Sequence, residues 1–359
     1  MKKIIFTQIM VMIVLTIMLP VGSLAQNLLL NPEHIAYDPV NQRYLLTCYG
    51  NGTVVSIDQN GTQQVILSGL NSCMGIHIQD TILMISYGKK IRFLDLNSLR
   101  QYREVTLDTS NWLDGMITDN QHNVYVIESG GKIFRVNLDT YESTTIVTQG
   151  IPLYPQDLAF DEVNNRLIVV SWDVNSPIKA VNLADHSVTT LQNTQLGNFD
   201  GVVRDSLGNL YVSCHRNGGK VYRIDKSFQQ APVVLSTGLI TPAGLFLNDF
   251  DNVLAVPDFD GNSVSYIRGI YTGIELTRLT APVNIGISGE EMIVSSPEQS
   301  LNITIYTLDG KVVSTVQSDC SPYQMNISAL RSSYCNQPLI VSVRTPKTRY
   351  SRKIMLSEQ

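Results

Sequence analysis

FDGVVRD (199–205), with the turn SLGN (206–209) and the run LYVSC (210–214) after it, is the stretch that decides the fold. Its seven-residue head recurs as PEHIAYD (32–38), CMGIHIQ (73–79), LDGMITD (113–119), PQDLAFD (155–161) and PAGLFLN (242–248). Successive copies are 41, 40, 42, 44 and 43 residues apart, and six copies at such even spacing mark a repeat architecture. The same grammar follows each head. A short turn such as Asp161-Glu162-Val163-Asn164-Asn165 leads to a second strand, as in NVYVIES (123–129) or RLIVVSW (166–172). A polar or glycine turn then leads to a third strand, as in KIFRVN (132–137) or KVYRID (220–225), and to a fourth, as in STTIVTQ (143–149) or PVVLSTG (232–238). Apolar residues alternate with period two in most of these runs, and no segment after residue 25 sustains a helical period.

Four antiparallel strands in about 42 residues is the arithmetic of a propeller blade. The expected fold is therefore all-β: a six-bladed β-propeller over 26–281, then a small immunoglobulin-like β-sandwich over 282–359. Residues 27–31 (NLLLN) precede the first head and are expected to pair with the last blade and help close the ring. A β-helix would need much shorter coils, and a sandwich would not repeat six times.

Charge narrows the partners. Residues 26–300 hold 17 basic and 28 acidic side chains, a net −11, whereas 301–359 are net +4. An acidic body argues against nucleic acid or an anionic membrane surface and is compatible with cations. Residues 1–25 have the outline of a signal peptide: Lys2 and Lys3, an apolar run from Ile4 to Leu19, then Ser23-Leu24-Ala25 as a small-residue cleavage site. Pro20, Gly22 and that site oppose a retained anchor, no cysteine follows to take a lipid, and no later stretch is long enough to span a membrane. The mature chain is expected to begin at Gln26, cross the periplasm, and end secreted or on the cell surface.

Five cysteines show no zinc-type spacing. In an oxidising compartment Cys320 and Cys335 are the best candidates for a disulfide, and an odd count leaves at least one thiol free. The tail reads as short strands of a new rhythm: EEMIVSS (290–296), LNITIYTLDG (301–310), KVVSTVQ (311–317), YQMNISAL (323–330), PLIVSVR (338–344) and YSRKIML (350–356). The order Ile305-Tyr306-Thr307-Leu308-Asp309-Gly310-Lys311-Val312-Val313, then Asn326-Ile327-Ser328-Ala329-Leu330, then a basic last strand resembles the type A sorting domain of Bacteroidetes type IX secretion. The glycine usual in that family is missing from Arg331-Ser332-Ser333-Tyr334-Cys335. The resemblance implies an export address read by the type IX machinery; the alternative is a generic immunoglobulin-like module.

In a propeller the first strand of each blade lines the channel, so the second residue of each head converges on one mouth. That ring is Glu33, Met74, Asp114, Gln156, Asp200 and Ala243. Three carboxylates and an amide make an all-oxygen set, the ligand chemistry of Ca²⁺, Mg²⁺ or Mn²⁺. Carboxylates forced together repel, so a cation or raised pKa values must relieve them. The repeat resembles NHL-repeat proteins, most clearly at Gly208-Asn209-Leu210-Tyr211-Val212, and the gluconolactonase, senescence-marker and luciferin-regenerating-enzyme family. The second resemblance implies Glu33, Gln156 and Asp200 as metal ligands and Asp114 as a ligand-contacting group. It also implies Ca²⁺ or another oxygen-loving cation, and lactone hydrolysis with Asp200 catalytic, taking the proton of a bound water. Pro-Glu-His in blade one and Gln-Asp in blade four depart from that family's pattern.

Three functions stay open: a ligand- or cation-binding channel mouth, a Ca²⁺-dependent lactonase, and an NHL-like protein scaffold using a blade face. Against all three, Asp-Gly is also a plain turn dipeptide that caps backbone amides. His34, His77 and His215 fall in different phases of the repeat, and His215 reads as a rim residue. Cys48 and Cys214 share a position in blades that are not neighbours, and Asp258-Phe259-Asp260-Gly261-Asn262 reads as the turn between two strands rather than a calcium loop.

Overall fold

Each of the six sequence units folds into its own antiparallel sheet, with strands in simple chain order. The structure is a computed structural model that describes residues 26–359 apart from 110, 249–251, 271–282, 289, 297, 308–310, 336, 346–348 and 357–359. The leader at 1–25 lies outside the described residues. The first strands are Pro32–Asp38, Cys73–Gln79, Leu113–Thr118, Pro155–Asp161, Phe199–Arg204 and Phe246–Asn248. Each packs against the next, and the sixth returns to the first, so they stand in a closed circuit around one channel. Five sheets have four strands; the sixth has three among the described residues, and its expected fourth strand falls in 271–282. The chain is a β-propeller.

Burial follows that geometry. The second strand of unit three, Asn123–Glu128, is buried at every residue, whereas the fourth strand of unit five, Val233–Thr237, is exposed or half-buried throughout. The core lies between sheets rather than inside any one of them. Leu45 and Val54 of unit one share a cluster with Leu83, Ile85 and Leu94 of unit two, and Tyr125 and Ile127 of unit three share one with Leu167 and Val169 of unit four. A blade cannot bury its faces alone, so each is stable only between neighbours. Ala255 of unit six packs with Ile35, Leu46 and Val55 of unit one, which closes the apolar circuit.

The segment before the first head meets unit six, but not as a strand. Asn27 Nδ2 donates to Asn262 O at 2.8 Å, Asn31 N donates to Asn262 Oδ1 at 2.8 Å, and Leu29 is buried against units one and six. Side-chain amides thus make the tie that a backbone ladder was expected to make. Asp258–Asn262 is indeed a turn: Asp258 pairs with Ser263 across it, and its carboxylate accepts the Ile240 and Thr241 amides at 2.9 and 2.8 Å.

The tail has two sheets. One orders Asn284–Ser288, Glu291–Ser295 and Tyr323–Asn326; the other orders Val312–Ser318, Leu301–Thr307, Pro338–Arg344 and Arg349–Met355. They share a core, including Val294, Ile303, Ile305, Val341 and Ile354, that contains no propeller residue. The run expected as one strand over 323–330 instead breaks at Asn326, whose Oδ1 accepts the Ser328 amide at 3.0 Å, and continues as helix α1 (Ser328–Tyr334). Leu330 and Tyr334, one helical turn apart, then pack on that core. The expected Cys320–Cys335 bond is not formed: all five cysteines are free thiols. Cys320 is exposed, with its Sγ 3.2 Å from Ser318 Oγ, and Cys335 follows the helix.

Candidate functional site at the channel mouth

The repeat places its ring residues by breaking the ladder at the same point in each unit. Between the pairs Pro32↔Cys48 and Ile35↔Leu46, Glu33 and His34 oppose Thr47 alone. Met74 and Gly75 oppose Ser86, and Asp200 and Gly201 oppose Ser213, in the same way. Units three and four break at Asp114-Gly115 and at Gln156. Such a bulge re-aims side chains, here into the channel. The opposing hydroxyls satisfy the amides that the bulges free: Thr47, Ser86 and Ser213 accept from His34, Gly75 and Gly201 at 3.0, 2.7 and 2.6 Å.

Glu33, Met74, Gln156 and Asp200 form the floor of a cup of about 280 Å³ at one end of the channel. Its rim comes from a second repeated position. Tyr49, Trp172, His215 and Phe259 each follow the second strand of their unit, and each donates its amide to the residue just before its unit's head: Asn31, Tyr154, Asn198 and Thr241, at 2.8–3.0 Å. Trp112, which precedes the head of unit three, joins them. Trp112 is 47% exposed, Tyr49 44% and Trp172 36%, which is open for side chains of this size. Trp172 stands edge-on to His215, centroids 4.5 Å apart, and Tyr49 lies 5.9 Å from Phe259. Among the described residues no lysine or arginine lines the cup.

Asp200 is held from one side only. His215 Nε2 lies 3.2 Å from Asp200 Oδ2 and 2.9 Å from Pro242 O. Both are acceptors, so Nε2 carries the proton. Asp200 Oδ1 is buried with no hydrogen-bond partner among the described residues. Gln156 Nε2 donates to Tyr154 O at 3.2 Å, which leaves its carbonyl end as an acceptor. Burial, then the nearby charges of Asp200 and Asp114, hold the Glu33 carboxyl well above the usual range.

Beneath the floor the channel is plugged. His34 and Asp157 occupy the head position that is glycine in the other four units, and they meet with Nε2 and Oδ1 3.7 Å apart. Asp157 is anchored by accepting the Val202 amide on Oδ2 and the Leu158 amide on Oδ1, at 2.9 and 2.8 Å. His34 Nδ1 lies 3.9 Å from Asp114, whose carboxylate is wholly buried. Burial opposes charge on His34, but Asp157, Asp114 and Glu33 outweigh it and raise its pKa to about 10. Burial and the charges of Asp200 and Asp157 likewise hold Asp114 well above the usual range, although His34 pulls it down. The glycines opposite make room for the pair: a Cβ on Gly244 would fall 2.3 Å from the His34 ring, and one on Gly115 2.2 Å from Asp157 Oδ1.

A larger cavity of about 750 Å³ lies at the other end of the channel, beyond His34 and Asp157. Its walls are mostly apolar, including Ile76, Met116 and Val202, and Tyr306 and Ile340 of the tail line it too. Among its polar groups, Thr118 Oγ1 donates to Gln79 Oε1 and meets His77 Nε2, both at 2.9 Å. Desolvation lowers the pKa of His77 to about 4, so that ring is neutral. An unpartnered carboxylate oxygen beneath open aromatic side chains favours the smaller cup as the functional end, despite its size.

The donor chemistry tests a cation. Glu33, His34 and Asp114 each offer an atom within 4.8 Å of the others. That trio sits in the plug, where the His34 ring already faces Asp157 and Asp114. Glu33, Gln156 and Asp200 on the cup side form an all-oxygen set that suits an oxygen-loving ion, with Asp200 Oδ1 the orphaned donor.

Of the ring read from the sequence, the structure thus brings Glu33, Gln156 and Asp200 into one cup and leaves Asp114, expected to touch ligand, below it beside His34. The aromatic rim went unrecognised in the sequence. The signal was present, since residues 49, 172, 215 and 259 share one phase of the repeat, but three ring types and a histidine do not look like one motif.

No family model matches the chain, and no curated protein does. Solved structures resemble it in fold. A gluconolactonase from Xanthomonas campestris is 15% identical, with a TM-score of 0.55 over 65% of this chain and 85% of that one. A luciferin-regenerating enzyme is 14% identical, with a TM-score of 0.54 over 69% and 95%. The calcium-binding protein regucalcin from Agrobacterium tumefaciens is 15% identical, with a TM-score of 0.53 over 64% and 82%. At such identities the likeness is one of architecture: this chain shares its propeller with lactone-hydrolysing and calcium-binding proteins.

Proposed function

We propose that the cup is the binding site of an exported protein and takes a positively charged species, a divalent cation or a small ligand bearing positive charge. The observation that carries this is the buried Asp200 Oδ1, which has no hydrogen-bond partner among the described residues, on an acidic floor that no described lysine or arginine lines. Glu33, Gln156 and Asp200 would hold a cation. Bound at a hundredfold excess over its dissociation constant, it would stabilise the fold by about 2.7 kcal/mol. The test is the melting temperature with Ca²⁺ and with a chelator, for wild type and Asp200→Asn. A calcium-dependent rise in wild type that the variant loses supports the reading; identical melting in all four samples refutes a cation site.

A second reading is a hydrolase of the lactonase type, favoured by the Asp200–His215 pair on the floor. A bound cation would supply polarisation of a carbonyl and a lowered pKa for water. The chain's own part is that His215 fixes Asp200 through Oδ2, leaving Oδ1 to accept a proton, while the rim encloses the substrate. Turnover of a lactone panel, abolished by Asp200→Asn, would separate this enzyme from a binder. Export belongs to the same proposal: 1–25 as a signal peptide, and 282–359 as a sorting domain read by the type IX machinery. Among the described residues no helix is long and apolar enough to cross a membrane.

A further inference from the structure

The rim adds something that a bare ion does not need. A hydrated metal gains little from exposed indole rings, and an apolar ligand would leave two carboxyl groups beneath it, one of them with an unpartnered buried oxygen. Aromatic faces above a floor of carboxylates satisfy one class of ligand at both ends: an organic cation whose charge is spread over carbon. The ring quadrupole attracts such a cation, and its methyl groups bury apolar ring surface that a metal aqua ion cannot cover.

Three features of the cup support this over a neutral polyol. Its floor is rich in acceptors, and the two nitrogen donors nearest them are engaged, His215 Nε2 with Asp200 and Pro242 and Gln156 Nε2 with Tyr154. The other donors, on Ser72, Tyr49, Trp112 and Trp172, come from the wall and rim, so the floor itself presents acceptors and negative charge. The rings come from units four, six and one, with Trp112 from unit three, so they flank the floor on several sides rather than offering one stacking platform. The cup, at about 280 Å³, suits a small head group.

Resting on the binding reading above, we infer that the cup recognises a small alkylated ammonium group, with Trp172 and Trp112 on its faces and Asp200 and Glu33 beneath it. The probes are choline and its uncharged isostere 3,3-dimethylbutan-1-ol, titrated into the purified protein by calorimetry, with Ca²⁺ as a third arm. Choline should bind at least tenfold more tightly than the isostere. Trp172→Leu and Asp200→Asn should each weaken choline by about tenfold while the circular dichroism spectrum stays that of wild type. Equal affinity for choline and isostere overturns the inference, because charge then plays no part. Calcium binding without choline binding also overturns it but leaves the cation reading intact. If neither binds, both fall. Choline affinity unchanged in a folded Trp172→Leu protein removes the aromatic half of the inference.

Discussion

His34 of unit one and Asp157 of unit four reach across the channel from opposite sides of the ring and meet 3.7 Å apart, each where four other units carry glycine. These are the two places where the sequence departs from the pattern of the family it resembles. The departures are therefore one feature: a buried ion pair that divides the channel into an acidic cup and an apolar chamber.

Removing both halves of this pair should cost less than the two single removals added together. His34→Gly strands the buried charge of Asp157 and should destabilise the fold by about 3–5 kcal/mol. The double variant with Asp157→Gly should lose less than the sum of the two single changes, with a coupling of about 0.5–3 kcal/mol. Urea denaturation of the four proteins measures it, and strict additivity would show that the two side chains act independently.

Gly244 should be intolerant only because of the pair, since the His34 ring supplies the nearest atoms around it. Gly244→Ala would drive a methyl into the His34 ring and should cost about 1–3 kcal/mol, as overpacking does. In a His34→Gly background the same change should be close to neutral. A penalty of equal size in both backgrounds would trace the need for glycine to the backbone instead.

Stability should fall as pH rises above neutrality. The pKa of His34 is raised to about 10 from an ordinary 6.5, so its contribution is complete below pH 6.5 and is lost as pH climbs towards 10. The slope from one such proton is at most about 1.4 kcal/mol per pH unit. Glu33 and Asp114, also raised, act with the same sign in a window that opens near pH 4. Unfolding free energies at pH 6, 8 and 10, in chelator, should decline in wild type and decline less in His34→Gln. A rise across that range would contradict a charged His34.

A chain ending at residue 281 should keep a cooperative propeller, because the tail's core contains only its own residues. The truncation should nonetheless bind a hydrophobic dye more strongly, since Tyr306 and Ile340 help to line the apolar chamber. Calorimetry and dye fluorescence read the two effects. An insoluble truncation would mean that the tail completes the ring.

The fold was legible because the period is a property of the chain: six heads at steps of 40 to 44 residues admit few architectures. The same periodicity placed Glu33, Gln156 and Asp200 at one mouth, and the structure brings all three to the cup. What stayed hidden depends on contacts between units far apart in sequence. His34 looked like an isolated histidine because its partner is 123 residues away, and Asp114 looked like a ligand because depth in the channel cannot be read from phase. The helix at 328–334 was missed because Asn326, whose Oδ1 accepts from the Ser328 amide and hydroxyl, ends a run that alternates like a strand.

Both tryptophans of the chain, Trp112 and Trp172, stand on the rim of the cup, so intrinsic emission reports directly on what enters it. The decisive measurement is emission during titration with Ca²⁺ and with choline through the millimolar range, in wild type and Asp200→Asn. A saturable change with at least one of them in wild type, shifted about tenfold to higher concentration by loss of the Asp200 charge, is the expected result. Emission that neither species alters, or that both alter equally in Asp200→Asn, would contradict a cup built for positive charge.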